Sequence, residues 1–444
     1  MKFNLFLVSV AAVLLTFGFA GQETLMASNI AENEPPKNVL ETVPAQITMA
    51  DALALAINKN PSLGGFSAEI RARDGAALQA GVRPNPELAV ELENFGGKNS
   101  LRGFKGAETT IAFSQLVERG GKQKNRRLVA ILDKNLAEWD YQSKKLDVLA
   151  ATAKAFLEVL IAQEQVALND ELLKLAKQTT TAVSEKVDAG KVSPVEKSRA
   201  QIELAAAQIE TNKAIRELEA ARRRLAGFWG ADRADFGQLV GQLNNISVLP
   251  TEESFKEYLS NNPDLARWST EIERSNATLR LARSEAKTDL TWSAGIRNSR
   301  ESNENAFLIG ISMPLGSSNR NQGGISEARA RIDKTHAEHQ AAKISLGTAL
   351  SDVWQSLSAA YTEVVALRDE ILPGAQATYE ATELGYREGK LDFLQMLDAQ
   401  RTLFTVKRQY LLSLGAYHLA NTDMERLVGV PLSDIKITNK DKAN

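Results

Sequence analysis

From Lys122 to Ala189 the chain contains neither glycine nor proline, and no other feature restricts its fold as much. Without either breaker the backbone has no easy place to turn. At about 1.5 Å per residue, an unbroken helix over this stretch is about 100 Å long, beyond the diameter of an ordinary domain. Leu128, Leu132, Leu136, Trp139, Leu146, Leu149, Phe156 and Leu160 recur along it at threes, fours and sevens between charged faces. That is a coiled-coil-like seam, and it needs a partner helix of similar reach. The partner begins after Gly190, with Ser193 placed as its N-cap and Pro194 at its first helical position. A long antiparallel hairpin with a short tip is expected over residues 121–228.

The pattern occurs twice. Asn60-Pro61-Ser62-Leu63 returns as Asn262-Pro263-Asp264-Leu265 at an offset of 202, and Glu69-Ile70, Ala80 and Leu88 fall on Glu271-Ile272, Ala282 and Leu290. Gly190-Lys191-Val192-Ser193 matches Gly389-Lys390-Leu391-Asp392, and Ala200-Gln201 matches Ala399-Gln400, at an offset of 199. Ordered matches at nearly one spacing mark a tandem duplication. The second hairpin is expected over 323–428, with Asp392 in the capping place and a kink or break at Pro373-Gly374.

Each copy also carries a strand pair. Leu88, Val90 and Leu92 alternate with Glu87, Ala89, Glu91 and Glu93. Leu290, Trp292, Ala294 and Ile296 alternate with Asp289, Thr291, Ser293 and Arg297. The returning strands run near 108–116 and 306–315, and polar, glycine-bearing loops are expected at 95–106 and 298–305. An apolar outside and a polar lumen alternate in this way in a membrane barrel; so do the two faces of a half-buried sheet in a soluble protein. Four strands cannot close a barrel alone. Taken with the hairpins and the N-terminus, a barrel assembled from several protomers is the favoured expectation, with Glu87, Glu91, Glu93, Asp289 and Arg297 facing its lumen.

The N-terminus reads as a secretory leader over residues 1–20: Lys2, an apolar run from Leu5 to Phe19, then Ala20-Gly21. The run is shorter than the roughly 20 residues of a spanning helix. A polar, proline-bearing arm follows over 21–47. The absence of cysteine removes disulfides from an oxidising destination. A formal charge of −2 gives no reason to expect nucleic acid as a partner. No nucleophile, base and orienter stand at catalytic spacing, so neither an enzyme nor a cofactor is expected. His336 and His339 with Glu338 share a helical face, but on a charged helix such a pair is ordinarily solvated. His418 stands alone, and no metal site is expected. Gly120-Gly121-Lys122 lacks the spacing of a phosphate loop and marks a strand-to-helix bend.

Four stretches carry a family resemblance: Ala54 to Leu63; Ala80-Gly81-Val82-Arg83-Pro84-Asn85-Pro86-Glu87-Leu88; Ser114-Gln115-Leu116-Val117-Glu118-Arg119-Gly120-Gly121-Lys122; and Gly385-Tyr386-Arg387-Glu388-Gly389 through Leu397-Asp398-Ala399-Gln400-Arg401. From about Thr48 to Val430 the chain resembles the TolC-like outer membrane factors, and in the second and third stretches their CzcC-type heavy-metal efflux branch. The resemblance implies a mainly α fold with a small β part. Three protomers would each lend four strands to one outer-membrane β-barrel, and their hairpins would form a helical tunnel across the periplasm. It implies a homotrimer as exit duct of a tripartite efflux system, partnered by a periplasmic adaptor and an inner-membrane pump of the resistance-nodulation-division type, and set in outer-membrane lipid. The cargo would be heavy-metal cations; a duct for drugs or other organic solutes is the alternative, and a non-conducting periplasmic coiled-coil scaffold is the alternative of another class.

The same resemblance places adaptor contact at the tips, Gly190, Lys191, Val192, Ser193 and Gly389, Lys390, Leu391, Asp392. It makes Tyr386 a gate tyrosine with Glu196 as its carboxylate acceptor, and Asp398 an inward-facing aspartate near the constriction. Leu391 and Val195 stand where multidrug members have a polar pair, and Gln395 stands for a second aspartate. The expected organisation is a repeat over 48–230, a linker over 231–251, a repeat over 252–430 and a tail over 431–444.

Overall fold

The computed structural model describes residues 46–316 and 318–431; the expected leader and nearly all of the expected arm and tail lie outside them. The first half runs α1 (Met49–Lys59), α2 (Pro61–Ala80), β1 (Glu87–Glu93), β2 (Glu108–Val117), α3 (Lys122–Asp188) and α4 (Pro194–Gly227). The second runs α5 (Glu252–Lys256), α6 (Pro263–Glu285), β3 (Leu290–Ser299), β4 (Glu304–Ser312), α7 (Gln322–Ala366), α8 (Leu372–Arg387) and α9 (Phe393–Val428).

The breaker-free stretch is one helix of 67 residues, about 100 Å along its axis. Leu132, Leu136, Phe156 and Leu160 of its seam are buried, and Leu128, Trp139, Leu146 and Leu149 are half-buried. Val148, Ala155 and Val159 complete the packed face. Polar stitches fix the register of α3 against α4: Asn169 Nδ2 donates to the Glu210 carbonyl at 3.3 Å, and Thr180 Oγ1 to the Ala200 carbonyl at 3.1 Å. Both hairpins turn alike. Gly190 and Gly389 hold φ of 70° and 73°, and the amides of Lys191 and Lys390 reach back to the carbonyls of Lys186 and Gly385, each at 2.8 Å. Left-handed glycine with a six-to-one bond satisfies carbonyls that the helix end would otherwise leave open.

Pro373 does not break the second ascending helix. Leu367–Ile371 instead forms a π-helical turn that leads directly into α8. The wider turn accommodates the ring and the missing N–H of Pro373 without interrupting the rod.

Residues 231–251 are not a free linker. Phe236, Leu239 and Leu243 are buried in the main core with Phe156, Leu225, Leu350, Leu357 and Tyr417, and Leu239 forms a parallel bridge with Ile47. A buried irregular segment must find partners for its backbone. Here Gln163 accepts from Leu239 N–H at 3.0 Å and donates to its carbonyl at 3.2 Å. The Tyr417 hydroxyl accepts from Ser247 N–H at 3.1 Å, and the Trp354 indole donates to the Pro250 carbonyl at 3.2 Å.

The four strands form one antiparallel sheet in chain order, β1-β2-β3-β4. β1 and β4 are its two edges. The β3–β4 connection is shorter than the expected 298–305, because pairing extends out to Ser299 and Glu304. Asn303 takes the left-handed conformation in the turn, and Asn298 Nδ2 donates to Asn305 Oδ1 at 2.9 Å across it.

Candidate functional site

The sheet separates its side chains by chemistry. The register sets Leu88, Val90 and Leu92 beside Ile111 and Phe113, then Trp292, Ala294 and Ile296, then Phe307, Ile309 and Ile311. Among the described residues nothing is packed on this face: Phe307 is 86% and Ile309 88% exposed. A contiguous apolar surface of this kind marks a contact with protein or lipid. The opposite face carries Glu87, Glu91, Glu93, Glu108, Thr110, Ser293 and Arg297. Of the residues expected on that face, Asp289 has a different place. It precedes β3, accepts from Arg119 N–H at 2.9 Å and pairs with Lys122 Nζ at 2.8 Å.

Asp289 belongs to a knot of contacts where strands meet helices. Gly120 and Gly121 both hold φ of 77°, and a Cβ on Gly120 would lie 2.7 Å from Lys287 Cδ and 3.1 Å from the Ser284 carbonyl. Only glycine meets both conditions. Arg126, one turn into α3, forks onto Glu118 at 2.8 and 3.1 Å and donates to the Ala80 carbonyl at 3.0 Å. Gln115 donates to the Pro84 carbonyl at 2.9 Å. The two motif stretches 80–88 and 114–122 thus meet at one root, where they bind the sheet to the long hairpin. Sequence reasoning found both stretches but missed Arg126, whose part depends on carbonyls more than forty residues away.

At the other end the two hairpins touch. The ring of Tyr386 lies 5.8 Å from Phe393 and under the Lys186 ammonium, whose nitrogen is 3.9 Å from the ring centroid. It packs against a small core of Val183, Ala200, Met396 and Leu397, so residues of α3, α4 and α9 surround it. The Tyr386 hydroxyl and Glu196 Oε2 are both buried and without a hydrogen-bond partner. Burial pushes the phenol above its ordinary value, and the adjacent Glu196 carboxylate adds to the shift. A phenol hydroxyl can donate and a carboxyl oxygen can accept, so the two unpartnered atoms are complementary.

Gln395 is engaged elsewhere: its Oε1 accepts from Asp392 N–H at 3.1 Å while Asp392 Oδ1 accepts from Gln395 N–H at 2.9 Å, a closed capping box. Asp398 is exposed one turn before Arg401, which pairs with Glu203 of the first hairpin. Ser193 caps α4 at 3.3 Å. Lys191, Gly389, Lys390 and Asp392 are exposed at the tips, Val192 is half-buried, and Leu391 packs so closely on Gly385 that a Cβ there would lie 2.6 Å away. Val195 is exposed.

Two of the three histidines have structural employment: the His339 ring stacks at 6.1 Å on Trp268, and His418 Nε2 meets the Leu243 carbonyl at 2.7 Å, while His336 is exposed. Among the described residues no cluster of three or more His, Asp or Glu side chains is arranged to hold a metal ion, and no helix is long and apolar enough to cross a membrane.

A family model described as outer membrane efflux protein matches residues 52–231 and 255–430, one segment for each half of the duplicated chain. The cobalt-zinc-cadmium resistance protein CzcC of Cupriavidus metallidurans is 32% identical over 404 residues, 90% of this chain and 95% of that protein. The nickel-cobalt-cadmium resistance protein NccC of Alcaligenes xylosoxydans xylosoxydans is 26% identical over 312 residues, 69% of this chain and 70% of its own. In fold, the outer membrane protein VceC of Vibrio cholerae aligns with a TM-score of 0.70 over 86% of this chain and 96% of its own, at 17% identity. The duplicated hairpins and the four-stranded sheet agree with these matches, and the chain belongs to the outer membrane efflux protein family.

Proposed function

We propose that the chain is one protomer of a homotrimeric duct that crosses the outer membrane and reaches through the periplasm, carrying heavy-metal cations outward as the terminal part of a tripartite efflux system. The observation that carries the reading is the sheet: an uncovered apolar face backed by a charged one, with both edges open. Unpaired strand edges cannot stand in lipid. An even number of up-and-down strands lets β4 of one copy lie antiparallel to β1 of the next, so three copies close a ring of twelve. Strands of nine and ten residues, as in β2, β3 and β4, suit a tilted crossing of the hydrocarbon layer.

In this reading the polar face lines the lumen, and the tip residues of both hairpins meet a periplasmic adaptor coupled to an inner-membrane pump. Tyr386 and Glu196 form one closing contact of the periplasmic end. The duct is passive and holds no cofactor. Identity across nearly the whole length of a cobalt-zinc-cadmium resistance protein supports metal cations as cargo.

Deleting the gene and measuring tolerance to cobalt, zinc, cadmium and nickel beside a panel of antibiotics tests the cargo. Selective metal sensitivity, restored by the parent gene, is the expected result. Sensitivity confined to organic compounds overturns the metal reading, and recovery of the protein only from the soluble periplasm overturns the duct.

A further inference from the structure

We infer that Arg297 sets the charge selectivity of the duct's outer mouth, by holding two carboxylates that would otherwise act on the passing ions. The inference rests on the proposed reading that the polar face of the sheet lines the ion path. On that face the strands carry Glu87, Glu91, Glu93, Glu108 and Glu304, and Arg297 is their one basic side chain. The register sets Glu93, Glu108, Ser299 and Glu304 abreast in the last row before the loops, the end of the sheet far from the helices.

Three strands of four thus present an acid at one level, and Glu93 lies directly opposite Glu108. Like charges so placed repel. Arg297 stands one row below, paired with Thr110, and reaches up into the acidic row. Its guanidinium lies 3.5 Å from Glu108 and 3.9 Å from Glu93, while Nε donates to Thr110 Oγ1 at 3.1 Å. Thr110 is itself buried, so the fork is aimed from a fixed point. Charge on a pore wall backed by lipid acts strongly on permeant ions, because the low-dielectric surround does little to screen it. By neutralising part of the row, Arg297 restrains a mouth that would otherwise favour cations more steeply.

The test is the reversal potential of purified protein in planar bilayers under a potassium chloride gradient, for the parent, Arg297→Gln, Arg297→Lys and the double variant Glu93→Gln/Glu108→Gln. Arg297→Gln is expected to raise the cation-to-anion permeability ratio about two-fold. Arg297→Lys, which keeps the charge, stays near the parent, and the double Gln variant falls below it. An Arg297→Gln protein that assembles as the parent does, yet shows an equal or lower ratio, overturns the assignment while leaving the duct intact. Should Arg297→Gln not assemble, an unchanged ratio in the double variant overturns it equally. A parent protein that opens no conductance overturns the duct reading itself, and the assignment with it.

Discussion

Asn60 and Asn262 make the same pair of hydrogen bonds in the two halves of the chain. Asn60 Oδ1 accepts from Ser62 N–H at 3.0 Å and its amide donates to the Phe228 carbonyl at 2.8 Å. Asn262 accepts from Asp264 N–H and donates to the Leu427 carbonyl, each at 2.7 Å. Each asparagine caps the helix that leads toward the sheet and ties it to the end of the helix that returns from the tip. The duplication is thus preserved as a working joint. Asn262 is fully buried, so Asn262→Ala is expected to destabilise the protein by about 2–3 kcal/mol and Asn60→Ala by about 1–2 kcal/mol. Thermal unfolding followed by circular dichroism in detergent measures the difference. Asn→Asp, which keeps the cap and loses the donor, falls between parent and alanine at both sites.

Tyr386→Phe removes a hydroxyl and leaves the ring packed against Phe393 and Lys186. If the hydroxyl closes onto Glu196, the variant has higher single-channel conductance than the parent with an unchanged fold. Equal conductance removes Tyr386 from the gate.

Alkali gives a second readout of the same residue. A phenol raised above its ordinary value of 10.0 stays protonated in the folded chain after it has ionised in the unfolded one, so its contribution is constant below about pH 10 and is lost as pH climbs toward the folded value. Parent protein is therefore expected to lose stability more steeply above pH 10 than Tyr386→Phe. Parallel denaturation curves for the two contradict this.

Arg126→Lys keeps the charge but replaces a two-pronged grip on Glu118, and the bond to the Ala80 carbonyl, with a single ammonium. The expected cost is about 1–2 kcal/mol. It is read as a lower temperature for loss of the oligomer band in detergent electrophoresis. Unaltered heat resistance would show that the root does not couple sheet to hairpin.

Gln163→Leu keeps the bulk near Leu239 but leaves that residue's N–H and carbonyl without their side-chain partner. About 2 kcal/mol of stability is expected to be lost, with faster protease cleavage confined to residues 231–251. Cleavage that starts elsewhere contradicts the assigned role of the strap.

The parts legible in sequence were those governed by local rules. A stretch without breakers makes a rod, a glycine between capped helices makes a tip, and period-two alternation makes a two-faced strand. What escaped is held by distant partners. The strap over 231–251 reads as a linker because its order comes from Gln163, Trp354 and Tyr417, none of them nearby in the chain. Asp289 continues the alternation of β3 and so reads as a lumen acid, although Lys122 draws it to the root. Gln395 occupies an expected gate position, yet the capping box with Asp392 employs it. Val148, Ala155 and Val159 are buried too, but lie outside a seam traced through the larger side chains.

A single preparation tests whether three such sheets close into one conducting barrel. Protein extracted from outer membranes and run without heating should migrate as a trimer that boiling converts to monomer, and that trimer, added to a planar bilayer, should open uniform conductance steps. A heat-independent monomer that leaves the bilayer silent would contradict the account.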